Sequence, residues 1–339
     1  MIFAKELGDT LRGALGDDER VVLLGEDIAD PYGGAFKVTR GLSTAFPQRV
    51  RTTPISEGAI AGISAGLALA GYRPIAEVMF GDFLTLMFDQ VVNHIAKYQK
   101  MYAEQATCPV IIRAATGGHR GYGPTHSQSL EKHFLGVPHL RVVAASLYHD
   151  PREVFADFLR RDEPVLYVEH KLLYPQHLTP PVGGRVGDLI ATSDNSPGML
   201  PTIRLSAVPA EDCTISVLAY GYQAMLAAQV IERLAIEEEI FAELIVPAQI
   251  APMDWAPVER SVSVTGRLVT IEEGADGWSW GSEAASVISR RLFGRLRQPV
   301  DVVASEPTII PSSKPKEADV LVGSARIEAA LRAAHKESR

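Results

Sequence analysis

The chain alternates short apolar strands with helices, and this pattern occurs in two successive blocks. In the first block, apolar runs typical of buried strands lie at 21–24, 75–79, 109–112, 142–143 and 164–168. Helices are predicted around and between them, at 3–15, 58–71, 82–102 and 151–161. Strands that alternate with helices in this way predict a parallel sheet with helices on both faces.

A second block of the same kind follows a stretch rich in proline and glycine. Its strands are predicted at 214–219, 244–246, 268–271 and 300–303, and its helices at 223–235, 283–292 and 324–335. Prolines and glycines between 175 and 212 predict a linker that runs over the surface. The predicted fold class is therefore α/β, with two doubly wound parallel-sheet domains at 1–174 and 213–339 and a linker at 175–212.

Composition and charge exclude several classes of function. The 339 residues carry a net charge of −8 and no basic run, so nucleic acid is not an expected partner. Cys108 and Cys213 lie far apart and form neither a metal-binding spacing nor a disulfide framework. The start of the chain lacks a signal-peptide pattern, and helix 58–71 is shorter than the ~20 residues that span a bilayer. We expect a cytoplasmic protein with no membrane contact.

One carboxylate stands where an extended segment turns into an apolar helix, in Thr53-Pro54-Ile55-Ser56-Glu57. Pro54 favours an extended Thr53, Ser56 is a typical N-cap, and Glu57 falls in the first helical turn. The simpler interpretation is that Glu57 only interacts with free N–H groups of the helix start. The functional interpretation is a carboxylate held in an apolar, tightly packed site.

Three glycines share one face of the helix that Glu57 begins. Gly58, Gly62 and Gly66 repeat every four residues. Glycine costs a helix about 1 kcal/mol relative to alanine, so three on one face predict that another backbone packs closely there.

Further polar and aromatic residues follow the ends of other predicted strands. Glu26 and Asp27 come after the 21–24 strand, Phe83 after the 75–79 strand, and His126 in the loop after the 109–112 strand. Ligands of open parallel sheets bind at the carboxyl ends of strands, so the fold could bring these side chains together. Each has a simpler alternative: the carboxylates stabilise a turn, Phe83 belongs to the core, and His126 is solvated.

Common motifs for phosphate and metal are missing from the sequence. There is no Walker loop, no Gly-x-Gly-x-x-Gly after a strand, and no His-Glu-x-x-His or Cys-x-x-Cys set. Gly62-Ile63-Ser64-Ala65-Gly66 matches the letters of a serine elbow, but Ser64 lies inside a predicted helix. The sequence alone therefore predicts no metal ligands.

The ordered motifs closely resemble the beta chain of thiamine-diphosphate-dependent 2-oxo acid dehydrogenases, the family that includes the pyruvate, branched-chain and acetoin enzymes. The blocks that carry the resemblance are Leu24-Gly-Glu-Asp27, Gly33 to Leu42, Thr53 to Glu57, Met79 to Phe83, Asp89-Gln-Val91 and Thr125-His-Ser-Gln-Ser129. The second half matches more loosely, through 217–223, 250–254 and 269–274. The resemblance implies a transketolase-like pyrimidine-binding domain followed by a transketolase C-terminal-like domain.

The resemblance also implies how this chain would hold the cofactor. Glu57 would hydrogen-bond N1′ of the aminopyrimidine ring and favour the tautomer that removes the thiazolium C2 proton. A carboxyl group in an apolar setting can hold a proton near neutrality, which suits this role. Phe83 would stack on the pyrimidine, and Ile55 and Met79 would flank it.

Two more positions receive a role from the resemblance. Glu26 would belong to the carboxylate network at the cofactor. His126 would face the substrate and the incoming lipoyl group, as an acid or a hydrogen-bond donor.

The Gly-Asp-Gly…Asn motif that holds Mg²⁺ and the diphosphate is missing here and belongs to the alpha chain in the family. The resemblance therefore implies a shared thiamine diphosphate, an alpha partner in an α2β2 heterotetramer, and a lipoyl acyltransferase or acyl-carrier protein as acceptor. The glycine face would pack against a helix of the partner subunit.

The sequence departs from the family pattern in places that bear on the substrate. Pro247 stands where the family usually has an arginine, and 310–316 and the loop 121–125 also differ. Two alternatives stay open: a split transketolase-like subunit that transfers a two-carbon ketol unit, and a non-catalytic docking subunit.

Overall fold

The structure is a computed structural model, and it describes residues 1–181 and 183–336. In these residues, 14 strands form two seven-stranded sheets. The strands are β1 (Val21–Gly25), β2 (Val50–Thr52), β3 (Arg73–Val78), β4 (Ile111–Thr116), β5 (Arg141–Ala144), β6 (Val165–His170), β7 (Arg185–Val186), β8 (Leu189–Asp194), β9 (Thr202–Ser206), β10 (Ile215–Ala219), β11 (Ala242–Pro247), β12 (Gln249–Ala251), β13 (Leu268–Ala275) and β14 (Asp301–Ser305).

Helices cover these sheets. The α-helices are α1 (Phe3–Asp17), α2 (Leu42–Ala45), α3 (Glu57–Leu69), α4 (Tyr98–Met101), α5 (Pro151–Arg160), α6 (Gly221–Glu238), α7 (Ala256–Thr265), α8 (Trp280–Arg291), α9 (Lys314–Val320) and α10 (Ser324–Lys336). Together with the sheets they confirm the predicted α/β class, with two mostly parallel sheets.

The first sheet has the order β12-β5-β6-β4-β3-β1-β2. Six of its strands run parallel, and β1, β4 and β6 are buried along their length, as helices on both faces require. The seventh, β12, comes from the second half of the chain and pairs antiparallel with β5. This edge pairing joins the two halves of the molecule.

The second sheet has the order β14-β13-β10-β11-β9-β8-β7 and contains strands that the sequence did not predict. β10, β11, β13 and β14 are parallel, whereas β9, β8 and β7 add antiparallel to the edge at β11. These three strands lie in the 175–212 segment, so the prediction of a surface linker there was wrong for 185–206. Leu189, Ala191, Ile203 and Leu205 are buried at alternating positions, but two prolines and a glycine between β8 and β9 obscured that alternation in the sequence.

The single long helix predicted at 82–102 is wrong in detail. The segment contains a 3₁₀ helix (Gly81–Met87), a π helix (Gln90–Ile95) and α4. The apolar spacing indicates a helix but does not determine which carbonyl each amide bonds. Stretches of 3₁₀ and π geometry often occur at functional sites.

A continuous core connects the two sheets. Ile60, Val168, Leu218 and Trp280 all belong to one buried cluster. The Trp280 indole also donates a hydrogen bond of 3.2 Å to the Ile250 carbonyl. This packing places the loops after the first-sheet strands directly against the second half of the chain. The domain boundaries proposed after residues 174 and 212 remain a prediction.

Candidate functional site

Glu57 is the first residue of α3, at the point where the sequence predicted a helix start. Its side chain is 4% exposed. The Thr53 amide donates a 2.9 Å hydrogen bond to the Gly25 carbonyl, which holds the 53–57 segment beside the end of β1. Ser56 occupies the N-cap position, but its side chain makes no capping hydrogen bond. Glu57 is thus a buried carboxylate at the carboxyl edge of the first sheet.

Glu26 places a second buried carboxylate at the same edge. It follows β1 directly, is 4% exposed, and its Oε1 atom is buried without a hydrogen-bond partner among the described residues. Burial, with smaller contributions from the negative charges of Glu57 and Asp27, raises the pKa of Glu26 to about 6. The two carboxylates therefore interact electrostatically.

The raised pKa gives a testable effect on stability. Ionised Glu26 destabilises the folded chain, because its pKa is about 6 in the folded chain, above the ordinary glutamate value of 4.5. Stability from this group is therefore lost as the pH rises through that interval. We expect Glu26→Gln to raise the free energy of unfolding of the full chain by about 1–2 kcal/mol at pH 7 and to leave it unchanged at pH 4.

Urea denaturation at the two pH values measures the Glu26 effect. Asp27→Asn is the matched control, since it removes the same charge from the exposed neighbouring residue. A Glu26→Gln variant that is less stable than the wild type at pH 7 would contradict the expectation.

Phe83 and His126 lie in one group of rings. The His126 ring centroid is 5.3 Å from that of Phe83 and 4.9 Å from that of Phe80, both in edge arrangements. Tyr122 packs at 6.2 Å from Phe80. Phe83 and His126 are each half-buried, and Phe83 also packs against the buried core cluster.

The 3₁₀ helix (Gly81–Met87) connects the carboxylates with the rings. A Cβ atom at Gly58 would lie 3.3 Å from the Leu86 carbonyl oxygen, which shows how closely the first turn of α3 approaches this helix. Phe83, on the same helix, contacts His126. Met79 is half-buried just before the helix, and Ile55 is 82% exposed next to Glu57. The predicted site residues thus gather at one edge of the sheet.

Among the described residues, no other backbone packs against the remaining glycines of α3. A Cβ atom at Gly62 or Gly66 would have no atom within 4 Å. Ile63 and Leu69 are 52% and 42% exposed on the same helix. The expected close packing occurs only at Gly58, and the rest of this face is open and apolar.

Sequence reasoning missed Lys171. It follows β6, is fully buried, and its Nζ atom donates a 2.7 Å hydrogen bond to the His126 carbonyl and lies 5.1 Å from the Phe80 ring centroid. Burial lowers the pKa of Lys171 to about 8. The signal in the sequence was His170-Lys171, two polar residues at the end of an apolar strand.

Asp82 also fixes the loop that carries His126. Its Oδ1 atom accepts hydrogen bonds from the Gln128 amide and side chain, at 3.2 and 2.8 Å. Asp82 is buried, and its contact with the His126 loop was not predicted from the sequence.

An ion-pair network lies under the site, across three neighbouring strands. Arg113 is buried on β4 and donates to Glu77 on β3 at 2.7 Å and to Glu169 on β6 at 2.7 and 2.8 Å. Tyr174 donates a further 2.7 Å hydrogen bond to Glu169. Burial raises the pKa of Glu77 even though Arg113 opposes that shift. The network therefore depends on the arginine to compensate two buried carboxylates.

The described residues contain no helix long and apolar enough to cross a membrane. Within 1–181 and 183–336, no group of three or more His, Cys, Asp or Glu side chains is arranged to hold a metal ion.

Two domain families match the chain. The transketolase pyrimidine binding domain matches residues 2–176, and the transketolase C-terminal domain matches residues 206–327. A solved structure described as a split gene transketolase, inactive beta4 tetramer, has the same fold, with a TM-score of 0.74 at 21% identity over 99% of this chain and 98% of that one. Fold and domain order define a transketolase-like protein.

Three relatives show to which family of transketolase-like proteins the chain belongs. The pyruvate dehydrogenase E1 component subunit beta of Leifsonia xyli is 35% identical, over 91% of this chain and 88% of that protein. The acetoin:2,6-dichlorophenolindophenol oxidoreductase subunit beta of Cupriavidus necator is 32% identical, over 93% and 91%. The 2-oxoisovalerate dehydrogenase subunit beta of Bacillus subtilis is 32% identical, over 93% and 92%. The chain belongs to the family of E1 beta subunits of 2-oxo acid dehydrogenases, which are oxidoreductases.

Proposed function

We propose that this chain is the beta half of a thiamine-diphosphate-dependent enzyme that oxidatively decarboxylates a 2-oxo acid and passes the acyl unit to a lipoyl or carrier-protein acceptor. The observation that carries the proposal is the buried Glu57 beside Glu26, at the edge of a pyrimidine-binding domain. The activities for which the pyruvate, acetoin and 2-oxoisovalerate relatives are named support the reaction class.

The residues at this edge fit an aminopyrimidine ring. Glu26 has a buried oxygen without a partner among the described residues, and Ile55 presents an exposed apolar side chain next to Glu57. Glu57 would hydrogen-bond the ring nitrogen, while Phe83, Met79 and Ile55 would contact its faces. The bound cofactor supplies an electron sink for loss of the carboxylate carbon. The task of Glu57 is to hold a proton at that ring nitrogen.

His126 is suited to act on the substrate and on the acceptor. The Thr125 hydroxyl lies 3.0 Å from His126 Nδ1, which orients the ring and leaves Nε2 for another partner. The ring lies at the edge of the Phe80 and Phe83 cluster, beside the proposed cofactor position. We assign His126 the role of acid or hydrogen-bond donor.

An alpha chain completes the site in this proposal. The sequence has no motif for a diphosphate or its Mg²⁺, so the partner holds both. The open face of α3 around Gly62 and Gly66 offers the partner a surface on which helices can approach closely. The assembly would be a cytoplasmic α2β2 heterotetramer that works with a lipoyl acyltransferase or an acyl-carrier protein.

Reconstitution tests the proposal. The beta chain is mixed with an alpha chain that carries the Gly-Asp-Gly…Asn motif, and thiamine-diphosphate-dependent CO₂ release is measured with pyruvate and branched 2-oxo acids. We expect activity in the mixture and none with either chain alone. Turnover of ketose phosphates but of no 2-oxo acid would overturn the proposal in favour of ketol transfer. Equal turnover by the alpha chain alone would make this chain non-catalytic.

A further inference from the structure

One carboxylate of the second half of the chain contacts both ends of the loop that carries His126. Glu273 lies on β13 and is 5% exposed. Its Oε1 atom accepts a hydrogen bond of 2.7 Å from the Gly118 amide, where the loop begins. The same oxygen accepts the Ser129 hydroxyl at 3.3 Å, where the loop ends. His126 lies between these two anchors.

The other oxygen of Glu273 is held by three side chains. Oε2 accepts from the Gln223 amide at 3.0 Å and lies 2.9 Å from His170 Nε2 and 3.3 Å from His119 Nε2. Burial alone would raise the pKa of Glu273, but the two histidines hold it well below its usual range. Burial would lower the pKa of His119, and the Glu273 carboxylate raises it instead. The anchor is thus a fixed negative charge.

His119 shows that the loop has a demanding geometry. Its φ angle is 64°, in the left-handed region that favours glycine, and Gly117, Gly121 and Gly123 in the same loop also have positive φ angles. A non-glycine residue persists in this conformation only where the surroundings fix it. The 3.3 Å contact between His119 Nε2 and Glu273 Oε2 contributes to that restraint.

A second carboxylate holds the middle of the same loop. Glu317 on α9 is fully buried, and its Oε2 atom accepts a 2.7 Å hydrogen bond from the Gly121 amide. On the side of the first sheet, Lys171 holds the His126 carbonyl and Asp82 holds Gln128. The loop is therefore fixed between the two halves of the molecule.

We infer that Glu273 is a positioning residue for His126, and that the second half of this chain holds the His126 loop in its working geometry through that carboxylate. The inference rests on the proposed role of His126. Glu273 itself touches neither the rings around His126 nor the Glu57 region in the contacts described above. Its effect on the reaction therefore passes through the loop.

The neighbouring residue provides a matched control. Glu272 is also a buried glutamate on β13, but its carboxylate accepts from the Gly281 amide at 2.7 Å, within the second half of the chain. Glu272→Ala and Glu273→Ala each remove one buried carboxylate from β13. Only Glu273→Ala releases the loop.

The test combines hydrogen exchange on the full chain with kinetics of the reconstituted enzyme. Peptides from 117–129 should exchange at least about tenfold faster in Glu273→Ala than in the wild type and Glu272→Ala, because two loop anchors are lost. In the reconstituted enzyme, kcat should fall about tenfold or more in Glu273→Ala. Glu273→Gln should recover part of that loss, since its amide oxygen can still accept from Gly118.

A double-mutant cycle separates positioning from a general loss of structure. If Glu273 acts through His126, then Glu273→Ala should lower kcat less than about twofold further in the His126→Ala background. Fully additive losses, or loop exchange equal to that of Glu272→Ala, would overturn the inference. An inactive wild-type holoenzyme would count against the proposed function alone, and the exchange measurement would still decide whether Glu273 holds the loop.

Discussion

Replacement of Glu57 by alanine is expected to lower kcat of the reconstituted enzyme by about 10²–10⁴-fold, the range typical of a lost acid–base group. The carboxylate is 4% exposed at the first residue of α3, beside Glu26. The methyl group of alanine cannot replace the Glu57 carboxyl group, so it cannot hold a proton at the cofactor ring. We expect the substrate KM to change much less than kcat, because Glu57 is proposed to act on the cofactor.

Ser56→Ala is the matched control for Glu57. Ser56 is exposed, stands one residue earlier, and its side chain makes no capping hydrogen bond. Its replacement should leave kcat within about twofold of the wild type, since no described contact is lost. Full activity in Glu57→Ala, measured as substrate-dependent CO₂ release, would contradict the mechanism.

Replacement of Arg113 by alanine is expected to cost about 3–5 kcal/mol of folding free energy, as the loss of one partner of a buried ion pair does. Arg113 is 2% exposed and donates to Glu77 and Glu169 from the central strand β4. Without it, two carboxylates remain buried with no positive charge between them. Urea denaturation of the full chain, followed by circular dichroism, measures the loss.

An exposed arginine provides the comparison for Arg113. Arg332 pairs with Glu238 at the surface, where the two side chains are 38% and 33% exposed. Arg332→Ala should cost less than about 1 kcal/mol, as exposed ion pairs do. If the two variants lost similar amounts of folding free energy, the buried network would stabilise the fold no more than an exposed ion pair does.

The fold was predictable from the sequence where an element has one uniform pattern. β1 and the first four residues of β6 are continuous apolar runs, because helices cover both faces of their sheet. The strands β8 and β9 were missed, since prolines and glycines interrupt a weak alternation over short segments. β12 could not be predicted either, because its partner β5 lies about a hundred residues earlier in the chain.

The candidate site was predictable to the extent that it follows the ends of predicted strands. Glu26, Phe83 and His126 stand at such ends, and Glu57 begins a helix with a clear start signal. Lys171 and Glu273 were missed as functional residues, since their importance comes from contacts with a loop distant in sequence. Local patterns carry no information about such contacts.

The most direct test of the central claim is the exchange of the C2 proton of thiamine diphosphate bound to the reconstituted enzyme, measured by quenched-flow NMR in deuterated buffer. This measurement needs no knowledge of the 2-oxo acid. The account predicts rapid exchange with both chains present, no acceleration with either chain alone, and exchange at least about 10²-fold slower in Glu57→Ala. Exchange in Glu57→Ala as fast as in the wild type would contradict the account.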